Sequence, residues 1–170
     1  SMAVLDQYVS FPASTDWDFG DGVPWQASFR LFSATGRGSA ELFFSSQSAH
    51  FGAGWMVYSE ANYTVIRLAS NGSIKAEWPY VFPSDIWTAH RVNYDGVGNF
   101  RWYVNGVLLG VRAVTGIVNT VTPLAVGNGI PSTVTGFTGN IDEFKWEKDP
   151  SLVITTSETY AVETGAYPDS

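Results

Sequence analysis

On the run that begins at Trp25, Trp25, Ala27, Phe29 and Leu31 occupy alternate positions, the period of a strand with one face in a core. The stretch Trp87–Gly110 repeats the pattern as two consecutive hairpins. Asp95-Gly96 opens a glycine-rich loop, and Asn105-Gly106 suits a two-residue type I′ turn, whose central residues both need φ > 0. Pairing across that turn sets Val104 opposite Val107, Tyr103 opposite Leu108 and Trp102 opposite Leu109. Phe100, Trp102, Val104, Val107, Leu109 and Val111 then share an apolar face, and Arg101, Tyr103 and Leu108 share the other.

The same reading along the chain predicts strands at Leu5–Phe11, Trp25–Ala34, Ala40–Ser46, Gly54–Ser59, Tyr63–Ala69, Ser73–Trp78, Ile86–Tyr94, Phe100–Val104, Val107–Val114, Thr122–Val126 and Thr133–Trp146. Glycine, asparagine and aspartate turns separate them, and no stretch carries apolar residues at helical spacing. Many short strands with regular turns mean an all-β sandwich or barrel. After Asp149 the composition shifts to Ser, Thr, Glu and Tyr. Residues 1–149 are therefore expected to form the domain, with 150–170 packing on its edge or leading to a further domain.

Composition narrows the class. The 170 residues are 45% hydrophobic, 15% aromatic and only 15% charged, which fits one packed domain rich in strand. A net charge of −7 argues against nucleic acid and anionic membranes as partners. No apolar run reaches membrane-spanning length, and no stretch reads as a signal peptide. With no cysteine there is no disulfide scaffold and no thiolate metal site, which favours folding in a reducing compartment.

Three motifs carry a resemblance. D-W-D-F-G-D-G-V-P-W-Q-A-S-F-R-L-F from Asp16 to Phe32, W-T-A-H-R-V-N-Y-D-G with Y-V-N-G between Trp87 and Gly106, and F-T-G-N-I-D-E-F-K-W from Phe137 to Trp146 stand in the order found in concanavalin A-like, laminin-G-like jelly rolls. The resemblance implies a two-sheet antiparallel jelly-roll sandwich. It also implies that the N-terminal strand around Leu5–Phe11 and the closing strand, Gly139–Trp146, lie close together, as in relatives whose ends meet on one sheet. The ending T-Y-A-V-E-T-G-A-Y-P-D is similar to tails that follow this domain in bacteriophage virion proteins, which implies a virion, extracellular location. Fold alone does not choose among lectin, hydrolase and adhesion module.

The residues weigh against hydrolysis. Glycosidases of this family set paired carboxylates on one strand as E-x-D-x-x-E, about 5–5.5 Å apart for retention. Here Glu41, Glu60, Glu77, Glu143 and Glu147 stand singly, and Asp142-Glu143 are adjacent and so point to opposite faces of a strand. No catalytic residue is assigned; Glu60 and Glu77 are the first carboxylates to test should cleavage occur. His90 reads as a satisfied core or cleft histidine. Asp16, Asp18 and Asp21 have the oxygen density of a Ca²⁺ site, which many relatives of this fold possess, although capping of a turn is the simpler reading of them.

Seven tryptophans remain. Trp25, Trp87, Trp102 and Trp146 lie on apolar runs and read as core. Trp17, Trp55 and Trp78 are uncommitted. With Tyr58, Tyr80, Asn62 and Arg67 they form the expected ligand-binding set, since sugars pack on aromatic faces and bond to amides and guanidinium groups. The same aromatics can serve as lids over the core. The expected function is a non-catalytic carbohydrate-binding or adhesion module of a phage virion protein that contacts host-surface glycan. The alternatives are a structural or protein-interaction jelly roll, partnered by other virion proteins or by copies of itself, and a glycoside hydrolase.

Overall fold

The protein is described here from a computed structural model, which describes residues 8–18, 22–33, 41–47, 54–60, 63–69, 74–115, 117, 121–127, 135–136, 139–154 and 156–162. Among the described residues, twelve strands form two sheets: β1 (Tyr8–Phe11), β2 (Trp25–Ser33), β3 (Glu41–Gln47), β4 (Gly54–Glu60), β5 (Tyr63–Ala69), β6 (Ile74–Pro79), β7 (Trp87–Tyr94), β8 (Asn99–Val104), β9 (Val107–Ala113), β10 (Leu124–Gly127), β11 (Thr135–Gly136) and β12 (Gly139–Lys148). One sheet runs β1-β10-β3-β4-β5-β6, with β11 added in parallel beside β3; the other runs β12-β2-β7-β8-β9. This is the antiparallel jelly-roll sandwich that the resemblance implies, with one short parallel pair.

The core lies between the sheets. β2 alternates buried and half-buried positions along its whole length, sending Trp25, Ala27, Phe29 and Leu31 inward. They meet Phe44, Trp55, Val57, Ile66 and Trp78 from the facing sheet. Trp146 of β12 stacks between Trp25 (ring centroids 4.7 Å apart) and Trp55 (5.5 Å), tying the two sheets together at one side of the sandwich. His90 is buried, stacked on Phe29 and Phe82. Its Nδ1 accepts from the Trp102 indole at 3.2 Å and its Nε2 lies 2.8 Å from Thr88 Oγ1. It is the satisfied core histidine that its sequence position suggests.

The turn at Asn105-Gly106 has φ of 47° and 81°, as a type I′ turn requires. The strands it joins depart from strict pairing. Val104 faces Val107 and Tyr103 faces Leu108, but a register shift then sets Trp102 opposite Gly110 instead of Leu109. The extra residue moves Val111 onto the parity of Arg101, where it is exposed; Val107 is exposed as well. Val111 therefore leaves the apolar face on which it was expected, because a one-residue bulge exchanges the faces of a strand, whereas Val107 keeps its place opposite Val104 and is exposed beside the turn. The freed Gly110 carbonyl accepts the Trp78 indole N–H at 2.8 Å.

The first and last strands do not share a sheet, although the turn that follows β1 packs on β12. β1 edges the seven-stranded sheet and β12 edges the five-stranded one. The chain leaving β1 crosses between them as a short 3-10 turn at Thr15–Trp17. Trp17 packs edge-on against Trp146, whose indole donates to the Asp16 carbonyl at 3.0 Å. Lys148 Nζ donates to the Thr15 carbonyl at 2.7 Å.

Beyond β12 the chain returns to the Asn105-Gly106 turn. Leu108 N–H donates to the Glu158 carbonyl, Tyr160 N–H to the Gly106 carbonyl, and the Tyr103 hydroxyl to the Ser157 carbonyl. The turn glycine permits this approach: a Cβ on Gly106 would sit 2.5 Å from the Tyr160 carbonyl oxygen. The strap so held carries Tyr160 onto the outward face of the five-stranded sheet, where its ring meets Tyr103 edge-on and lies over the Arg91 guanidinium, 3.9 Å from ring centroid to Cζ.

Candidate binding site

Among the described residues, the two sheets do not bring the sequence-derived ligand set together. Trp55 and Trp78 are fully buried between the sheets, and their indole N–H groups are donated to the carbonyls of Trp17 (2.6 Å) and Gly110. Neither offers a face to a sugar. Trp78 falls in the strand expected at Ser73–Trp78, and β6 runs on through Pro79 because it is an edge strand, where a proline costs no ladder bond on the open side. Trp17 is half-buried and gives its N–H to the Pro12 carbonyl at 2.9 Å. Tyr80 packs on Phe82 and His90. Tyr58 lies on the outward face of the seven-stranded sheet, buried with Leu42, Met56 and Val65, and bonds Glu60 at 3.1 Å. Arg67 pairs with Met56 and Lys75 in the ladder, but its side chain falls outside the described residues, as does Asn62.

Trp87, read as core, is instead 42% exposed. Its parity on β7 is that of Ala89 and Arg91, the outward one, and its ring rests on Phe32 at 5.5 Å.

The acidic turn behaves as turn chemistry. Asp16 Oδ2 accepts from Ser14 Oγ at 2.8 Å, Asp18 is buried, and Asp21 lies outside the described residues. Among the described residues no three histidine or carboxylate side chains converge on a point that could hold a cation. In the β7–β8 loop, burial alone would raise the Asp95 carboxyl. The N–H groups of Asn99 and Val97 and the nearby Arg101 outweigh it and hold the group below the ordinary carboxylate range.

A pocket of about 360 Å³ opens on the outward face of the five-stranded sheet. Its wall is polar: Gln26, Ser28 and Arg30 from β2, Arg91 from β7, and Glu143, Lys145 and Glu147 from β12. Tyr160 and Val162 of the strap close one side. The polar groups are held in pairs. Arg30 Nε meets Glu143 at 2.9 Å, Lys145 meets Glu147 at 2.8 Å, Gln26 donates to the other Glu147 oxygen, and Arg91 Nε donates to Ser28 at 3.3 Å. The bonds from Lys145 and Gln26 hold Glu147 below its ordinary pKa against the opposing effect of burial. Burial pushes the Tyr160 phenol up, so it stays a neutral donor and acceptor at physiological pH.

Sequence reasoning missed these residues, although part of the signal was present. The chain has nine Lys and Arg, and three of them line this one pocket. Glu143 could not have been placed by alternation. It sits in a bulge with φ 52°, between Asp142, which pairs with Arg30, and Lys145, which pairs with Ser28. The bulge lets Glu143 line the pocket while Phe144 packs on Phe44 of the core.

Several solved structures share the fold. The binding domain of botulinum neurotoxin serotype G aligns over 82% of this chain and 36% of its own, at 13% identity and a TM-score of 0.61. A type C neurotoxin structure, whose title ties cell entry to two ganglioside molecules, aligns over 73% of this chain and 32% of its own, at 20% identity and 0.55. The serotype D/C binding domain gives 73%, 32%, 19% and 0.55. At such identities the likeness is one of fold, and this chain spans about a third of each of those domains. None of the curated proteins compared with the chain matches it. The sequence model of the concanavalin A-like lectin/glucanases superfamily matches residues 4–150, and the chain belongs to that family.

Proposed function

We propose that this domain is a non-catalytic carbohydrate-binding module whose sugar site is the pocket beneath Tyr160. The observation that carries the reading is the set of pre-paired donors and acceptors around that pocket: Arg30 with Glu143, Lys145 and Gln26 with Glu147, Arg91 with Ser28. A sugar presents neighbouring hydroxyls that each donate and accept. A charged pair with its geometry already fixed meets them without further ordering cost. The volume lies within the range of small-ligand sites.

The same pairs support binding without cleavage. The acid of a glycosidase must keep its proton near neutral pH, which needs an apolar setting that raises the carboxyl. Glu147 is held low by Lys145 and Gln26, and Glu143 by its place against Arg30 is a salt-bridge partner. Glu60 and Glu77 lie on the other sheet, Glu60 bonded by Tyr58 and Glu77 exposed.

A single shallow site binds weakly, so adhesion would draw on several copies acting together. We further propose that the setting is a phage virion, outside the cell, with host-surface glycan as partner. What supports this is the likeness of the ending Thr159–Asp169 to virion-protein tails. The alternative, a protein-interaction jelly roll joined to other virion proteins or to itself, is favoured by edge strand β1, whose Tyr8, Val9 and Phe11 are exposed.

Titration of polysaccharides into the purified domain tests the reading. Saturable binding lost in Arg30→Ala, with no reducing ends released, supports it. Binding that survives Arg30→Ala and Arg91→Ala together moves the site elsewhere, and released reducing ends make the protein an enzyme.

A further inference from the structure

The pocket does not end where its walls end. Along the outward face of the five-stranded sheet, residues of β12, β2 and β7 stand in rows: Glu147–Gln26–Asn93, Lys145–Ser28–Arg91, Asp142–Arg30–Ala89, and Asn140–Phe32–Trp87. The first three rows contribute the pocket lining. The fourth row, one step further along the same strands, is aromatic. Trp87 is 42% exposed, its ring tilted 49° on Phe32, with exposed Asn140 at the far side of the row. Ala89, with the smallest side chain on this parity of β7, lies between Trp87 and Arg91 and leaves the floor low between them.

We infer that Trp87 is a second sugar subsite continuous with the pocket, so that the ligand is a linear glycan of at least two sugars lying along β7. The inference rests on the reading of the pocket as a sugar site. An indole face packs on the C–H face of a pyranose, and Asn140, two strands away across Phe32, ends the same row with an exposed amide. Successive outward positions of a strand are about 6.6 Å apart, the scale of one sugar ring, so a chain stacked on Trp87 enters the pocket with its next residue. The platform is fixed before any ligand arrives. Trp87 begins a strand instead of crowning a loop, Phe32 supports its ring, and Asp85, in the left-handed region at φ 58°, gives its N–H to the Ser33 carbonyl at 2.8 Å just before it.

The test uses the intact chain and a panel of gluco-, galacto- and manno-oligosaccharides of one, two and four sugars, with binding followed by calorimetry and by the Trp87 indole N–H resonance. The expected result is that affinity rises about tenfold from one sugar to two for the member that binds, the size of one aromatic stacking contact. The Trp87 resonance should move only with the longer ligands. Trp87→Ala should erase the gain and leave monosaccharide binding intact, and Trp87→Phe should restore part of it, each at unchanged melting temperature. Equal affinity for one and two sugars, or a gain that survives Trp87→Ala, overturns the subsite while leaving the pocket. Failure of Arg30→Ala to weaken the monosaccharide, or no binding by any panel member, overturns the reading beneath it.

Discussion

The outward faces of the two sheets are built from the same alternation and end in opposite states. On the seven-stranded sheet, Leu42, Met56, Tyr58 and Val65 form an apolar cluster that is buried although it lies outside the inter-sheet core. On the five-stranded sheet the equivalent positions are Gln26, Ser28, Arg30, Arg91, Lys145 and Glu147, and they surround an open pocket. Strand periodicity separates two faces; the chemistry of the outward parity decides whether that face adds to stability or remains available to a ligand.

Mutations should separate the faces. The largest effect is expected on the apolar one: Met56→Ala should cost about 2–5 kcal/mol in denaturant unfolding, as deletion of a buried side chain does. A loss below half a kilocalorie, on the order of an exposed-site change, would mean that this cluster is not packed. Next comes the junction of turn and strap. Gly106→Val forces a β-branched residue into the left-handed region and a Cβ against the Tyr160 carbonyl, and should cost about 1–3 kcal/mol. Unchanged melting would show that neither the turn nor the strap is as described. On the polar face, Arg91→Ala removes the cation beneath Tyr160 and should cost only about 0.5–1 kcal/mol, while abolishing measurable sugar binding. A large stability loss with binding retained would reverse the comparison.

The smallest effect is a pH dependence. Glu147 is held low in the folded state, so the unfolded chain takes up its proton first as the solution is acidified. Its contribution is complete above the ordinary carboxylate range and is lost as pH falls through the lowered folded value. Melting curves of the wild type and Glu147→Gln should therefore converge on acidification and separate slightly at neutral pH. A separation that grows toward low pH would contradict the pairing with Lys145 and Gln26.

The strands and the Asn105-Gly106 turn were legible because alternation and φ > 0 preference are local properties. Which parity faces the other sheet is not local. Trp55 follows a glycine run and Trp78 precedes a proline, which leaves both uncommitted in the sequence, yet β4 and β6 send them inward onto Trp146 and Gly110. Trp87 opens an apolar run and reads as core, yet its parity is outward. Two bulges, between Trp102 and Tyr103 and between Asp142 and Lys145, shift register where no sequence signal marks them. The pocket unites strands far apart in the chain, together with a strap beyond the domain's predicted end at Asp149, so its lining could be listed only after the fold had paired β12 with β2.

The proposed sugar site lies on the polar outward face of the five-stranded sheet. Adding the best-binding oligosaccharide to the isotope-labelled domain and mapping the backbone and side-chain resonances tests it most directly. Shifts are expected only at outward positions of β2, β7 and β12 and at Tyr160, with Arg30, Arg91 and Trp87 among them. Shifts centred on Tyr58, Tyr63 and Glu77 of the seven-stranded sheet would contradict it.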